Sequence, residues 1–173
     1  MTQDSRAYAQ SRSCYYPERP PKISLPCGFS GGHHTLKLWD LERGHELHTL
    51  TGHTDIVYAV AVTPDGQRAV SASYDSTLKV WDLGSGRGLR TLTGHTGLVF
   101  AVAVMPDGQH AVSASSDRTL KVWNLESEEV LATFTCDSQA SCCAFSETLK
   151  SILVGDAGGR LHVLRLEAPK PKD

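Results

Sequence analysis

Residues 49–90 align with residues 91–132 without a gap, and 29 of the 42 positions are identical. A repeat of that length constrains the fold more than any local propensity does, because each copy must be a supersecondary unit that buries its apolar surface against its neighbours. The tryptophans at positions 39, 81 and 123 keep the same 42-residue spacing, so the period reaches upstream of the first whole copy. An altered copy follows from Thr133. There, Cys136-Asp137 stands in place of Gly94-His95, one residue is lost before Ala144-Phe145, and Leu161-His162-Val163-Leu164 replaces Leu120-Lys121-Val122-Trp123.

Within each whole copy the signal is β. Residues 56–62 are apolar on both faces and read as an inner strand covered on both sides. Thr63-Pro64-Asp65-Gly66 recurs as Met105-Pro106-Asp107-Gly108 and predicts a tight turn, with proline presetting φ and glycine permitting a positive one. Residues 69–73, 77–81 and 89–92 supply three more short strands, and no segment sustains a helical period.

Four strands per 42 residues, with Gly52-His53 and Gly94-His95 near the start and Trp81-Asp82 and Trp123-Asn124 near the end, resemble the WD-repeat β-propeller family. The stretch Ser-x-Ser-x-Asp-x-Thr-Leu-Lys-Val-Trp, present in both copies, strengthens the resemblance, which covers residues 35 to about 166. It implies an all-β fold: a partial WD-repeat β-propeller of about three blades of four antiparallel strands, in an open arc over residues 33–166. Residues 1–32 read as a disordered or out-of-family leader and 167–173 as a polar tail. The strand count expected from sequence is two around Trp39, then four, four and three. The near-identical repeats also resemble the carboxy-terminal propeller regions of large bacterial WD-repeat signalling proteins. That implies a sensor or interaction module, as a fragment of a larger propeller, and the ordinary soluble composition adds the expectation of a cytoplasmic protein.

His53, Ser71 or Ser73, and Asp75 are the residue types of a hydrolase triad, and they recur as His95, Ser113 or Ser115, and Asp117. A catalytic set is needed once, whereas this one repeats, each time with an indole donor in Trp81 or Trp123. The resemblance implies that these residues form a buried hydrogen-bonded staple within each blade. Stranding one buried member would cost about 1–3 kcal/mol. The two serines of each pair share strand parity, so both remain candidates. The terminal units lack the staple, with His33 in place of the turn Asp upstream, and Gly158 and Leu164 in place of Asp and Trp downstream.

The resemblance further implies that a protein or peptide partner docks on the face carrying the Asp turn. The residues expected there are Ile56, Tyr58 and Tyr74 in the first whole copy and Leu98, Phe100 and Ser116 in the second. The aromatic residues among them serve either as interface anchors or as packing between neighbouring blades.

Other chemistries find little support. With 17 basic and 19 acidic residues the net charge is −2, which suggests no nucleic-acid surface. The apolar run at 99–105 is too short for a membrane span. Five cysteines form no Cys-x-x-Cys unit, and Cys142-Cys143 sits in what reads as a buried strand. His33-His34 and His45-x-x-His48 complete no metal-ligand set, and Gly84-Ser85-Gly86-Arg87-Gly88 lacks the Gly-Lys-Ser/Thr of a phosphate loop. The expectation is a non-catalytic interaction module with no metal or cofactor. The alternatives are a truncated remnant without independent activity and a Ser-His-Asp hydrolase. A homodimer could complete the ring, with residues 46–50 of a second copy supplying the missing outer strand of the last unit.

Overall fold

Strand-forming runs separated by proline, glycine and aspartate turns leave the chain only antiparallel neighbours to pair with, and the architecture follows. The computed structural model describes residues 22–24, 34–40 and 42–165. The first sheet contains β1 (Lys22–Ser24), β2 (Thr35–Asp40) and β3 (His45–Thr51), in that spatial order. The second contains β4 (Val57–Val62), β5 (Arg68–Ser73), β6 (Leu78–Asp82) and β7 (Gly88–Leu92). The third repeats this with β8 (Val99–Val104), β9 (His110–Ser115), β10 (Thr119–Asn124) and β11 (Val130–Thr135). The fourth contains β12 (Ala140–Ser146), β13 (Ser151–Asp156) and β14 (Leu161–Arg165). Every pairing is antiparallel. Among the described residues no helix is long and apolar enough to cross a membrane.

The sheets stack face to face as an open arc, with β4, β8 and β12 side by side along its inner rim. Three apolar clusters fill the three gaps between consecutive sheets. The central gap joins Val70, Ala72, Leu78 and Val80 of the second sheet to Val102, Ala111 and Trp123 of the third. A bulge precedes each tryptophan, at Leu38/Trp39, Val80/Trp81 and Val122/Trp123, and re-aims the ring. The Pro-Asp-Gly turns form as expected: Gly66 N–H donates to Thr63 O at 2.8 Å, with Gly66 at φ +70°, and Gly108 repeats the arrangement on Met105.

Several expectations need correction. The first unit has three strands and not two, because Lys22–Ser24, inside the segment read as a leader, pairs with β2; the rest of residues 1–32, His33 and residues 167–173 lie outside the described residues. Residues 56–62 are not covered on both faces: after Val57, Tyr58 is exposed and the remainder of β4 only half-buried, because this strand faces the open axis of the arc. The strand enclosed on both sides is β5, where five of six residues are buried. Cys142 is exposed and Cys143 half-buried, since nothing among the described residues covers the outward side of β12. Residues 46–50 lie in β3, the edge strand of the first sheet, which pairs with β2 along one side.

Candidate functional site

The Gly-His dipeptide lies in the loop after the outer strand of one sheet and against the tryptophan of the next. Gly52 has φ +153°, and a Cβ there would meet the Trp81 ring at 3.4 Å; Gly94 has φ +149°, and a Cβ there would meet Trp123 at 3.3 Å. The positive φ favours glycine at both positions, where the rim of the indole comes up against the loop. Directly after it, His53 and His95 turn inward and are buried.

From there a chain of hydrogen bonds runs through the sheet. The Trp81 indole N–H donates to Ser71 Oγ at 2.8 Å. Ser71 Oγ lies 2.7 Å from His53 Nε2, and His53 Nδ1 lies 2.7 Å from Asp75 Oδ2. The third sheet repeats it through Trp123, Ser113, His95 and Asp117 at 2.8, 2.7 and 2.8 Å. A carboxylate only accepts, so each histidine carries its proton on Nδ1; Nε2 then accepts from the serine hydroxyl, whose oxygen accepts from the indole. The proton direction is uniform along the chain and requires a neutral imidazole.

The electrostatics agree with that assignment. Burial holds His53 and His95 below the ordinary histidine value of 6.5, against the opposing pull of Asp75 and Asp117. Burial pushes the two carboxyls up, but bonds from Thr77 and His53 keep Asp75 below the ordinary 3.8, and those from Thr119, His95 and the Thr96 N–H bring Asp117 to about 2. Ser71 and Ser113 are fully buried, with the oxygen already engaged by an indole donor. This is the hydrogen-bond order of a hydrolytic triad, with the serine withheld from any substrate.

The parity ambiguity resolves in favour of the first serine of each pair. Ser73 and Ser115 do not reach the indole. Ser73 Oγ donates to Asp55 O at 3.1 Å and accepts from Asp75 N–H at 3.2 Å; Ser115 does the same with Gly97 O and Asp117 N–H. They tie the turn to the inner loop.

The fourth sheet has no such chain, because Val154 and Leu164 occupy the places of the serine and the tryptophan. With no indole to accommodate, Cys136 replaces the glycine and is buried in the same cluster as Leu164. The tie between loop and turn survives in different chemistry: Arg160 in the turn pairs with Asp137, which holds the position of His95, and Ser138 Oγ accepts from Gly158 N–H at 2.8 Å. Sequence reading missed this, although an Asp at the His position and an Arg two residues after the missing Asp were its signal. The Asp or Asn after each tryptophan caps the following turn: Asp82 Oδ1 accepts from Ser85 N–H, and Asn124 Oδ1 accepts from Glu126 and Ser127 N–H.

The exposed residues lie at the end of the sheets that carries the Asp75 and Asp117 turns, opposite the turns capped by Asp82 and Asn124. Tyr74 N–H donates to Ile56 O, and Ser116 N–H donates to Leu98 O, both at 2.9 Å. Tyr58 stacks on Tyr74 with ring centroids 5.4 Å apart; Phe100, from the next sheet, stands edge-on to both at 5.7 and 5.9 Å. The cluster bridges two sheets, yet Ile56 keeps 46% of its surface and Tyr58 52%. Tyr74, Leu98, Phe100 and Ser116 are half-buried. Among the described residues, no group of three or more His, Cys, Asp or Glu side chains is arranged to hold a metal ion.

The family model for the WD domain, G-beta repeat, matches residues 44–82 and 86–124. Each match starts at the outer strand of one sheet and ends on the tryptophan strand of the next, so the sequence repeat is offset from the sheet by one strand. The chain carries two WD repeats, and its fold is a partial WD β-propeller. The mouse F-box-like/WD repeat-containing protein TBL1X is 58% identical over 33 residues, which is 19% of this chain and 6% of that protein. The human protein of the same name is 58% identical over 31 residues, 18% of this chain and 5% of its own length. The chain thus spans about one-twentieth of the length of these relatives. WD repeats imply a role in protein–protein interaction or scaffolding.

Proposed function

We propose that the chain is a non-catalytic interaction module whose partner, a protein or peptide, docks on the Asp-turn face around Tyr58. The carrying observation is the Tyr58–Tyr74–Phe100 cluster, which is braced across two sheets while Tyr58 and Ile56 stay open to solvent. Braced aromatic rings lose little side-chain freedom on binding and are enriched at interface hot spots. The buried Ser71 and Ser113 favour this reading over a hydrolase, because a nucleophile must reach its substrate. Resemblance to the carboxy-terminal propeller regions of bacterial signalling proteins extends the proposal to a cytoplasmic sensor role.

Selection of a displayed peptide library on the purified chain tests it. Selected peptides should lose at least tenfold in affinity to Tyr58→Ala and be unaffected by Leu149→Ala, a residue equally exposed but on the β12–β13 loop. Binding indifferent to Tyr58 and Ile56 would overturn the assignment, as would ester or peptide hydrolysis abolished by Ser71→Ala together with Ser113→Ala in a folded protein.

A further inference from the structure

Consecutive sheets meet through unlike faces. In the central gap the second sheet presents Val70, Leu78 and Val80, and the third answers with Ala111 and Trp123. In the next gap the third sheet presents Val112, Leu120 and Val122, and the fourth answers with Ile152 and Leu164 at the places of Ala111 and Trp123. Each sheet therefore has an aliphatic forward face and a tryptophan-type rear face, and every contact joins forward to rear.

One face of each kind is left over. By strand register Leu153, Leu161 and Val163 of the fourth sheet correspond to Val112, Leu120 and Val122 of the third. Leu120 and Val122 are 1% and 4% exposed, whereas Leu161 and Val163 are 67% and 56% exposed. Cys142 and Ala144, in register with Ala101 and Ala103, are also exposed. At the opposite end Trp39 follows the same bulge as Trp81 and Trp123 and by register looks away from the second sheet. It is only half-buried, while its two equivalents are almost fully enclosed. Among the described residues nothing covers either end.

We propose that the forward face of the fourth sheet docks on the rear face of the first sheet of a second copy, and reciprocally, to give a two-fold ring of eight sheets. The occupant follows from the chain itself: the uncovered forward face matches the type that is buried three times internally, and the complementary rear face stands at the other end of the same molecule. Four sheets taken twice give eight, inside the four to eight blades of known propellers, and a head-to-tail contact that closes after two copies covers both ends. A net charge of −2 opposes this association little. No strand is exchanged. The ring is independent of the docking face proposed above, and it would set two Tyr58 clusters on the same face of the ring, on opposite sides of its two-fold axis.

Light scattering of the purified chain over a wide concentration range tests the ring. The expected mass is twice 18.7 kDa. Leu161 and Val163 are already exposed in the single chain, so Leu161→Lys and Val163→Asp should halve the mass and leave the circular dichroism unchanged. Leu89→Asp, which is 51% exposed on β7 of the second sheet and so away from both ends, should leave the dimer intact. Acrylamide quenching of tryptophan fluorescence adds a readout at the far end: Val163→Asp should increase quenching, because Trp39 loses its cover although the substitution is not in its own sheet. A wild-type monomer at every concentration, a dimer surviving both variants, growth into longer open assemblies, or dissociation without increased quenching would each overturn the proposal.

Discussion

Trp81→Phe keeps most of the apolar area of the ring and deletes only the indole N–H, leaving the Ser71 oxygen without its donor. The expected cost is about 1–3 kcal/mol, and Trp123→Phe should cost about the same because its chain has the same geometry. Urea unfolding checks both, with an unchanged denaturant slope showing that the native surface is preserved. Histidine protonation strikes the same chains, because a proton on Nε2 would confront the serine hydroxyl that donates to it. Both histidines are held below 6.5 in the folded protein, so the unfolded chain binds more protons and stability declines as pH falls below about 6.5. A second decline follows at acid pH, as the lowered carboxyls are protonated between 3.8 and, for Asp117, about 2. Urea midpoints at pH 7.5, 5.5 and 3.5 should fall in that order; a midpoint that rose on acidification would contradict neutral histidines.

Among the elements, the two four-stranded sheets were legible in the sequence and the end sheets much less so. Residues 69–73, 77–81 and 89–92 emerge as strands because short β-branched runs stand between strong turn signals, twice and in phase. Lys22–Ser24 carries no such signal: three residues show no alternation, and the strand is recognisable only once β2 is in place beside it. Which serine joins each staple could not be read either, because parity puts Ser71 and Ser73 on one side of β5 and only the position of the indole distinguishes them. The Asp137–Arg160 tie was hidden because both residue types had changed while the two positions kept their roles. Its members are largely exposed, so Asp137→Ala should cost less than about 1 kcal/mol. His95→Ala, at the same place in the third sheet, strands a buried serine and a carboxylate and should cost clearly more in the same urea assay.

At the scale of the whole molecule, burial and exposure divide the labour. Three apolar clusters and two polar chains hold the central sheets, while the ends of the arc carry fewer buried partners. Amide exchange should therefore be slowest in β5, β6, β9 and β10 and fast in β14; uniformly fast exchange would mean a remnant that does not fold. The aromatic cluster on the Asp-turn face uses that rigidity without supplying much of it. The division between buried staple and exposed anchor is tested most directly by titrating one selected peptide into Trp81→Phe and Tyr58→Ala. Trp81→Phe should bind with the affinity of the wild type at a temperature where it remains folded, and Tyr58→Ala should bind at least tenfold more weakly. Lost affinity in Trp81→Phe, with Tyr58→Ala binding normally, would place the functional group inside the sheet and contradict the account.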